Sequence, residues 1–425
     1  MNHEKPIIKN KEWIGRIPSD WDFVKIKEHF VERNTKVDDI SFPPLSVSMG
    51  GVVDQMENVS KSDNSGNRKL VKKNDFVINS RSDRKGSSGI SPRDGSVSLI
   101  NIVLKPKNIN PKYSEYLFKS YYFKEEFFRN GKGIHFDLWS TRYELMKQIF
   151  IPYPKIEEQN KIVEYLDNET HQIEKLTKKI EQKIELLKEQ RTSLINEVVT
   201  RGLNPDVEMK ESGIEWIGEI PSHWEFLRLN NLGRFSKGKG ITKDNIKEGG
   251  NRCIRCGEIY TTYELRFNRT KSFIDDETSD ESVLGSKGVL LFTGDGESLE
   301  EIGKCVVYEG NEELYVGGGI NIFTPKQDKV IPIYLSYVMN SESVIYQKSR
   351  QGRGEIVVHI YSKQLKEIRL GLPPILEQNK IVEYLDEQTK KIDKTILIEE
   401  KKIKLLNEYK QSLISEVVTG KKRVV

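Results

Sequence analysis

Apolar residues in two segments recur at alternating intervals of three and four positions, the spacing that places side chains along one stripe of a helix. In 157–200 one extra interval of four falls between Ile180 and Ile184. Polar or charged residues fill the other positions of the series, namely Glu169 and Arg191 in the first segment and Gln388, Thr395, Glu399 and Lys410 in the second. The pattern predicts two helices, each about 65 Å long. The apolar stripe residues are Ile162, Leu166, Ile173, Leu176, Ile180, Ile184, Leu187, Leu194 and Val198, then Ile381, Leu385, Ile392, Ile403, Leu406, Leu413 and Val417.

A narrow apolar stripe on a charged helix requires a partner helix. The partner that the sequence offers is the second copy of the same helix, packed antiparallel within the chain. A single amphipathic helix on the surface of a globular core is the alternative that stays open.

The remaining segments have mixed character. Apolar and β-branched residues bounded by Gly, Asp and Lys predict strands at 75–79, 97–104, 288–292 and 304–308, and helices are predicted at 113–129 and 332–348. The predicted fold class is therefore α+β: two mixed α/β domains separated by two long helices that form an antiparallel intramolecular coiled coil, in a pseudo-two-fold tandem repeat.

The tandem repeat is visible in three motifs. Trp13-Ile-Gly-Arg-Ile-Pro-Ser-Asp-Trp21 returns as Trp216-Ile-Gly-Glu-Ile-Pro-Ser-His-Trp224, and Glu-Gln-Asn-Lys-Ile-Val-Glu-Tyr-Leu-Asp occurs unchanged at 158–167 and 377–386. Ser-Leu-Ile-x-Glu-Val-Val-Thr occurs at 193–200 and 412–419. The variable segments between the motifs, 24–157 and 227–376, show almost no similarity. Matched ends around unmatched middles indicate a shared partner or framework and two versions of one task.

These landmarks divide the chain into five parts. We predict a first mixed α/β domain at 1–154, a central spacer helix at 155–202, a linker at 203–215, a second mixed α/β domain at 216–373 and a C-terminal spacer helix at 374–425. Gly and Pro residues mark the linker.

Composition limits the classes of protein. The 425 residues are 36% hydrophobic and 31% charged, and no apolar run approaches the roughly 18 residues of a membrane span. Three Cys residues are too few for a disulfide framework, so the expected location is the cytoplasm. The net charge of +4 conceals a basic stretch at 228–271 and an acidic one at 275–313. A surface for nucleic acid would therefore be local.

Catalytic motifs are missing: the sequence has no phosphate-binding loop, no H-E-x-x-H pair and no G-x-S-x-G elbow. Phe292-Thr-Gly-Asp-Gly296 is similar to the glycine loop of adenosylmethionine-dependent methyltransferases but lacks the upstream acid, so a strand-to-loop turn is favoured. Cys253 and Cys256 could supply half of a zinc site but have no second pair, so two ordinary strand cysteines are favoured. We predict a non-catalytic chain without a metal.

Basic and small polar residues surround the glycine loops. Arg and Lys neutralise phosphates, Arg pairs with guanine, and glycine permits close approach of the backbone. His135 and His359 follow these loops and are candidate polar contacts. The predicted DNA-binding residues are Asn79, Arg81, Arg84, Lys85, Lys132, His135, Arg142, Lys237, Lys239, Arg252, Arg255, Arg350, Arg353, His359 and Lys363. At each single position a solvated loop is the alternative.

Together, the three duplicated motifs resemble the DNA-specificity subunit of type I restriction-modification systems over essentially the whole chain. The resemblance implies that each variable segment reads one half of a split double-stranded DNA site and that the helices set the spacing. It implies docking of two methyltransferase (modification) subunits and a restriction (motor and nuclease) subunit. S-adenosylmethionine, ATP and Mg would then belong to those partners and not to this chain.

Two other classes stay open on the residues alone. The acidic excess of the second domain favours a coiled-coil scaffold without DNA reading. A diverged stand-alone DNA methyltransferase or nuclease would require activity from the isolated chain.

Overall fold

The computed structural model of the chain describes residues 13–55, 66–133, 139–352, 354 and 358–424. The chain forms two compact units: unit 1 comprises Met1–Glu181 with Glu399–Val425, and unit 2 comprises Gln182–Ile398. The unit boundaries fall inside the two long helices, so each unit takes its helical part from both repeats. The division of the sequence at 154, 202, 215 and 373 stays a prediction.

The helices of the described residues are α1 (Ile26–His29), α2 (Pro111–Lys119), α3 (Tyr121–Arg129), α4 (Tyr143–Met146), α5 (Ile156–Arg201), α6 (Cys256–Thr261), α7 (Asp276–Asp280), α8 (Pro332–Met339), α9 (Glu342–Gln351), α10 (Ser362–Leu365) and α11 (Ile375–Val418). The single helices predicted at 113–129 and 332–348 are each two helices. A serine breaks the first one: Ser120 accepts a hydrogen bond from the Phe123 amide at 3.3 Å and so caps α3.

Unit 1 is built on a four-stranded antiparallel sheet with the order β2 (Phe30–Glu32), β10 (Asn101–Pro106), β7 (Phe76–Asn79) and β8 (Ser88–Ile90). A three-stranded sheet contains β3 (Lys36–Val37), β6 (Arg68–Val71) and β9 (Gly95–Val97), and two pairs join β1 (Asp22–Lys25) to β11 (Phe150–Tyr153) and β4 (Leu45–Ser48) to β5 (Gly51–Asp54). The strand predicted at 97–104 is two strands in different sheets, because a turn from Ser98 to Asn101 separates them.

Unit 2 repeats this plan with a five-stranded sheet of β15 (Gly233–Lys237), β24 (Ile320–Pro325), β20 (Leu290–Thr293), β22 (Cys305–Tyr308) and β17 (Arg266–Phe267). Its second sheet orders β18 (Ser272–Ile274), β16 (Asn251–Ile254), β23 (Leu314–Val316) and β19 (Val283–Gly285). Pairs join β14 (Glu225–Arg228) to β26 (Arg369–Leu372) and β21 (Asp295–Gly296) to β25 (Val358–His359).

The segment predicted as a linker is partly a strand. Residues Met209–Glu211 form β12, which pairs antiparallel with β13 (Glu219–Pro221). The Gly and Pro residues that suggested a linker lie on either side of this strand, at Gly202, Pro205 and Gly213. The pairing shows that the linker at 203–215 contributes structure to unit 2.

The two long helices are antiparallel within each unit. In unit 1, Ile162 and Leu166 near the start of α5 share a core with Leu413 and Val417 near the end of α11. In unit 2, Val198 near the end of α5 shares a core with residues near the start of α11, among them Ile381 and Leu385. Ion pairs flank these cores, Lys410 with Glu174 at 2.6 Å in unit 1 and Arg191 with Asp393 at 2.9 Å in unit 2.

The buried stripe departs from the predicted one in the middle of α5. Thr170 is buried where Glu169 was expected, and Leu176 is 46% exposed while Thr177 is half-buried. In the structure the extra interval of four residues lies between Leu166 and Thr170, earlier in the helix than predicted. The core positions at 169 and 176 are therefore replaced by the next residues along the sequence, 170 and 177. Near the end of α5, Ile195 is buried and Leu194 is half-buried.

The Thr170 hydroxyl donates to the Leu166 carbonyl at 2.6 Å, and Thr389 replaces Gln388 in α11 with the same bond to Leu385 at 2.7 Å. A threonine that satisfies its own hydroxyl inside the helix can therefore occupy a core position that the pattern assigns to apolar residues.

Candidate nucleic-acid interface

The glutamines of the repeated Glu-Gln motif join each variable segment to a long helix. Gln159 and Gln378 are fully buried. The Gln159 Oε1 atom accepts a hydrogen bond from the Asn110 amide at 2.8 Å, where α2 begins. Gln378 accepts from the Ile331 amide at 2.8 Å, where α8 begins. One repeated side chain thus makes the same bond in both units.

The aspartates that end the same motif also make a repeated contact. The Tyr116 hydroxyl donates to Asp167 Oδ1 at 2.6 Å, and the Tyr337 hydroxyl donates to Asp386 Oδ1 at 2.7 Å. Burial and the hydrogen bond to Asp386 raise the pKa of Tyr337 to about 12. The tyrosines lie in variable segments, so residues at 116 and 337 belong to the repeated frame although the surrounding sequences differ.

The repeated tryptophans lie beside the C-terminal ends of the two long helices. Trp21 and Trp224 are buried. Gly420 and Gly202 follow α11 and α5 with φ of 72° and 78°, and a Cβ there would lie 3.2 Å from the Trp21 ring and 3.3 Å from the Trp224 ring. Glycine therefore ends each helix and lets its backbone approach an indole. The repeated motifs have a structural role inside each unit.

In unit 1 the predicted DNA-binding residue Arg81 lies just after the end of strand β7. The Thr141 amide donates to the Ser80 carbonyl at 2.9 Å. The next residue, Arg81, forms an antiparallel bridge with Ser140. The Asn79 side chain is buried and accepts a hydrogen bond from the Arg81 amide at 3.0 Å, so the strand end is held in place.

Three more predicted cations of unit 1 are exposed near this strand end. Lys132 exchanges both backbone hydrogen bonds with Ser140, at 2.9 and 3.1 Å, so it lies beside Arg81. Arg142 follows Thr141 directly and is the N-cap residue that precedes α4. Arg84 has a 64% exposed side chain in the turn after Arg81. These contacts place the residues at one strand end, and their binding to DNA stays a prediction.

A small concavity beside Arg81 is lined by Asn79, Arg81, Lys85, Lys124, Phe128 and Trp139. Lys85 is engaged there, because its ammonium lies 2.7 Å from Glu125 and 4.7 Å from the centre of the Phe128 ring. The Trp139 indole donates to the Phe128 carbonyl at 2.8 Å. A Cβ at Gly131 would lie 2.2 Å from this indole, so the glycine loop makes room for the tryptophan.

Strand β20 ends in the same way in unit 2 but with different side chains. The Ile360 amide donates to the Gly294 carbonyl at 2.9 Å. The next residue, Asp295, pairs with His359 in the antiparallel register of β21 and β25. The His359 Nδ1 atom lies 2.7 Å from Asp295 Oδ1. Asp295 therefore occupies the position in unit 2 that Arg81 occupies in unit 1.

Two lysines of unit 2 lie at this end of the five-stranded sheet. Lys237 ends β15 opposite Asn321, and the Lys239 amide donates to the Val316 carbonyl at 3.0 Å. A Cβ at Gly238 would lie 2.1 Å from the Gly317 carbonyl oxygen, so only glycine permits this packing of the two loops. In the loop 317–319, the Gly319 carbonyl accepts a hydrogen bond from the Gly294 amide at 2.7 Å. Because Asp295 follows Gly294, this bond connects the loops that carry the lysines to Asp295.

The other predicted residues of unit 2 lie elsewhere or are engaged. Arg252 belongs to the second sheet and forms an ion pair with Glu312. Arg350 is stacked 5.7 Å from the ring centre of Trp216. Arg255 precedes α6, and Lys363 is exposed in α10. Predicted residues His135 and Arg353 lie outside the described residues.

The sequence search for cations missed Asp295 and its neighbour Tyr260. The Tyr260 hydroxyl donates to the Asp295 carbonyl at 3.0 Å and lies 2.7 Å from Thr293 Oγ1, whose hydroxyl can donate to it, and burial raises the pKa of Tyr260 to about 12. The segment from Phe292 to Gly296 was predicted as a strand-to-loop turn, but it runs from β20 through a bend at Gly294 into the short strand β21. Its resemblance to a cofactor loop was the only signal that pointed to Asp295.

The cysteines differ from their prediction in one respect. Cys253 is buried on β16, but Cys256 begins helix α6 and is not a strand residue. In the part of the chain that the structure describes, no three His, Cys, Asp or Glu side chains are grouped as metal ligands would be. Among the same residues, no helix combines the length and apolar character that a membrane span requires.

The fold and the site define a tandem protein. The same contacts of the repeated motifs recur in both units, and each unit carries a different polar surface. Residues 18–186 and 221–408 match the family described as the type I restriction modification DNA specificity domain. The chain belongs to this family and is a type I specificity subunit with two recognition domains. The predictions of this family, of its fold class and of a specificity subunit in place of a stand-alone enzyme are confirmed.

Curated relatives align with most of the chain. It is 25% identical to the MjaVIII type I restriction enzyme specificity subunit of Methanocaldococcus jannaschii over 97% of this chain and 96% of that one. It is 22% identical to the StySPI specificity subunit of Salmonella potsdam over 74% of this chain and 67% of that one.

Solved structures share the fold. A chain from a structure of type I R-M complex assembly and conformational transition has a TM-score of 0.72 at 14% identity, over 96% of this chain and 100% of that chain. The HsdS subunit from Thermoanaerobacter tengcongensis has a TM-score of 0.54 at 15% identity, over 97% of this chain and 100% of that chain.

Proposed function

We propose that this specificity subunit reads a split DNA site, with unit 1 binding one half, unit 2 the other, and the long helices setting the distance between them. The observation that carries the proposal is that equivalent positions of the two units hold different residues, Arg81 in unit 1 and Asp295 in unit 2. Equal frames with unequal side chains suit one binding geometry applied to two different base sequences.

Exposed cations around the two strand ends supply the contacts to phosphates. Arg84, Lys132 and Arg142 serve this role in unit 1, and Lys237 and Lys239 in unit 2. Phosphate contacts position the protein without selecting a sequence, and their energy falls as salt rises. Arg81 and Asp295 are held by backbone pairing and can address base edges.

The long helices also offer surfaces for protein partners. Each unit exposes large apolar side chains on them, which is typical of interaction sites when such residues lie close together. We propose that each unit docks one methyltransferase subunit and that a restriction subunit joins the complex. S-adenosylmethionine, ATP and Mg then belong to the partners. Among the exposed residues are Leu176, Leu405 and Tyr409 in unit 1 and Leu186, Leu397 and Ile398 in unit 2.

The test is methylation mapping. The chain is co-expressed with its methyltransferase subunit in a host without DNA methylation, and the genome is sequenced for modified adenines. We expect a split, asymmetric motif that disappears when the methyltransferase subunit is expressed alone. A stable complex that methylates no motif would contradict DNA reading and favour a scaffold.

A further inference from the structure

Asp295 is an acidic residue at the sheet end that carries Lys237 and Lys239. Its side chain is 49% exposed. A carboxylate at a DNA surface repels the phosphate backbone and weakens binding to every sequence alike. A contact between the carboxylate and a base edge would offset this repulsion for one base sequence.

The carboxylate is oriented by its surroundings before any ligand binds. Oδ1 lies 2.7 Å from His359 Nδ1, and the Asp295 backbone carbonyl accepts the Tyr260 hydroxyl at 3.0 Å. Gly319 lies next to Oδ2: a Cβ there would be 2.8 Å from that oxygen, and its φ is 76°. Only glycine therefore fits beside the carboxylate. Such prior ordering reduces the entropy that binding would otherwise cost.

The hydrogen-bonding character of the carboxylate selects a class of base. An ionised carboxylate can only accept hydrogen bonds, and His359 holds one of its two oxygens in place. In the major groove the donors are adenine N6 and cytosine N4, whereas guanine offers the acceptors N7 and O6. Arg81, at the equivalent position of unit 1, presents donors and matches guanine.

From this geometry we infer that Asp295, positioned by His359, reads an exocyclic amino group of adenine or cytosine in the half-site of unit 2. The inference rests on the proposed function and adds the residue and the base class at one position. It also assigns opposite preferences to equivalent positions of the two units, an amino group for Asp295 and guanine for Arg81.

The test uses the purified complex of the full chain with its methyltransferase subunit. Once mapping has given the wild-type motif, initial methylation rates are measured on duplexes that carry each of the four base pairs at each motif position. For Asp295→Ala we expect the preference at one position of one half-site to fall by about tenfold or more. The other half-site keeps its preferences. For Asp295→Arg we expect the preferred base at that position to become guanine.

Two further variants separate reading from folding. His359→Ala is expected to reduce the preference at the same position, and His359→Asn, whose amide nitrogen can donate to Asp295, to restore part of it. Asp328→Asn, at an exposed acid in the turn before α8, is the control and should change no preference. Thermal unfolding of each variant checks that unit 2 remains folded.

The outcomes distinguish a failure of this inference from a failure of the proposed function. A split wild-type motif combined with unchanged preferences in Asp295→Ala would overturn the inference alone. Equal loss of rate on all duplexes would overturn it as well, because that result assigns Asp295 a structural role. A wild-type complex without any split motif would overturn both.

Discussion

Replacing Gln378 by alanine tests whether the repeated glutamine holds unit 2 together. Gln378 is fully buried, and its side chain makes three hydrogen bonds. It accepts from the Ile331 amide at 2.8 Å and donates to the carbonyls of Lys329 and Pro373 at 3.1 and 2.9 Å. These bonds connect the start of α8 to the start of α11.

The magnitude follows from the groups left behind. Truncation removes the side-chain partner of one amide and two carbonyls in a buried place. Each such group costs about 1 to 3 kcal/mol when it is left unpaired, and a water molecule in the vacated space would relieve part of this. We expect the free energy of unfolding of unit 2 to fall by about 3 to 5 kcal/mol.

The assay must resolve the two units, since a chain with two compact units need not unfold in one step. Amide hydrogen exchange, followed by mass spectrometry, reports the opening free energy of α8 and α11 separately from unit 1. Asn379→Ala is the matched control, because this neighbour is exposed and donates to the Ile375 carbonyl of its own helix at 3.2 Å. The control should change stability by no more than about 0.5 kcal/mol. Equal effects of the two variants would refute the role assigned to Gln378.

Two smaller perturbations test other buried polar groups of unit 2. The Lys348 ammonium is buried and donates to the Gly303 and Met339 carbonyls at 2.8 and 2.9 Å, and burial lowers the pKa of Lys348 to about 8. Between pH 8 and 10.5 the folded chain therefore binds fewer protons than the unfolded chain. The free energy of unfolding of the wild-type chain, relative to that of Lys348→Met, should thus rise by about 3 kcal/mol over this range. Denaturant titrations across that range measure the difference, and a constant difference would contradict the buried charge. Tyr337→Phe removes the hydrogen bond to Asp386 and should cost about 1.5 kcal/mol in the same titration at pH 7, whereas no loss would mean that the bond contributes nothing to stability.

The duplicated motifs made much of the frame predictable. Identical residues such as Gln159 and Gln378 fold into identical contacts, so two copies of one unit follow from the sequence alone. The order of burial within α5 did not follow, because Thr170 fills a core position by bonding its hydroxyl to its own helix. Hydrophobic periodicity cannot register a polar residue that satisfies itself in this way.

The candidate site was predictable only in part, for a different physical reason. Glycine loops and basic residues led to Arg81 and Lys132, which the structure brings to one strand end. Asp295 was missed because a search for phosphate contacts looks for cations, whereas a base edge can also require an acceptor. Its equivalence to Arg81 depends on strand pairing between residues far apart in sequence, which no local pattern encodes.

Methylation mapping of Arg81→Ala beside the wild-type complex tests most directly whether each unit reads its own half of the site. We expect the variant to lose discrimination in one half of the motif only, with the other half and the spacing unchanged. This half should differ from the one altered by Asp295→Ala. Equal loss in both halves, or a motif identical to that of the wild type, would contradict independent reading by the two units.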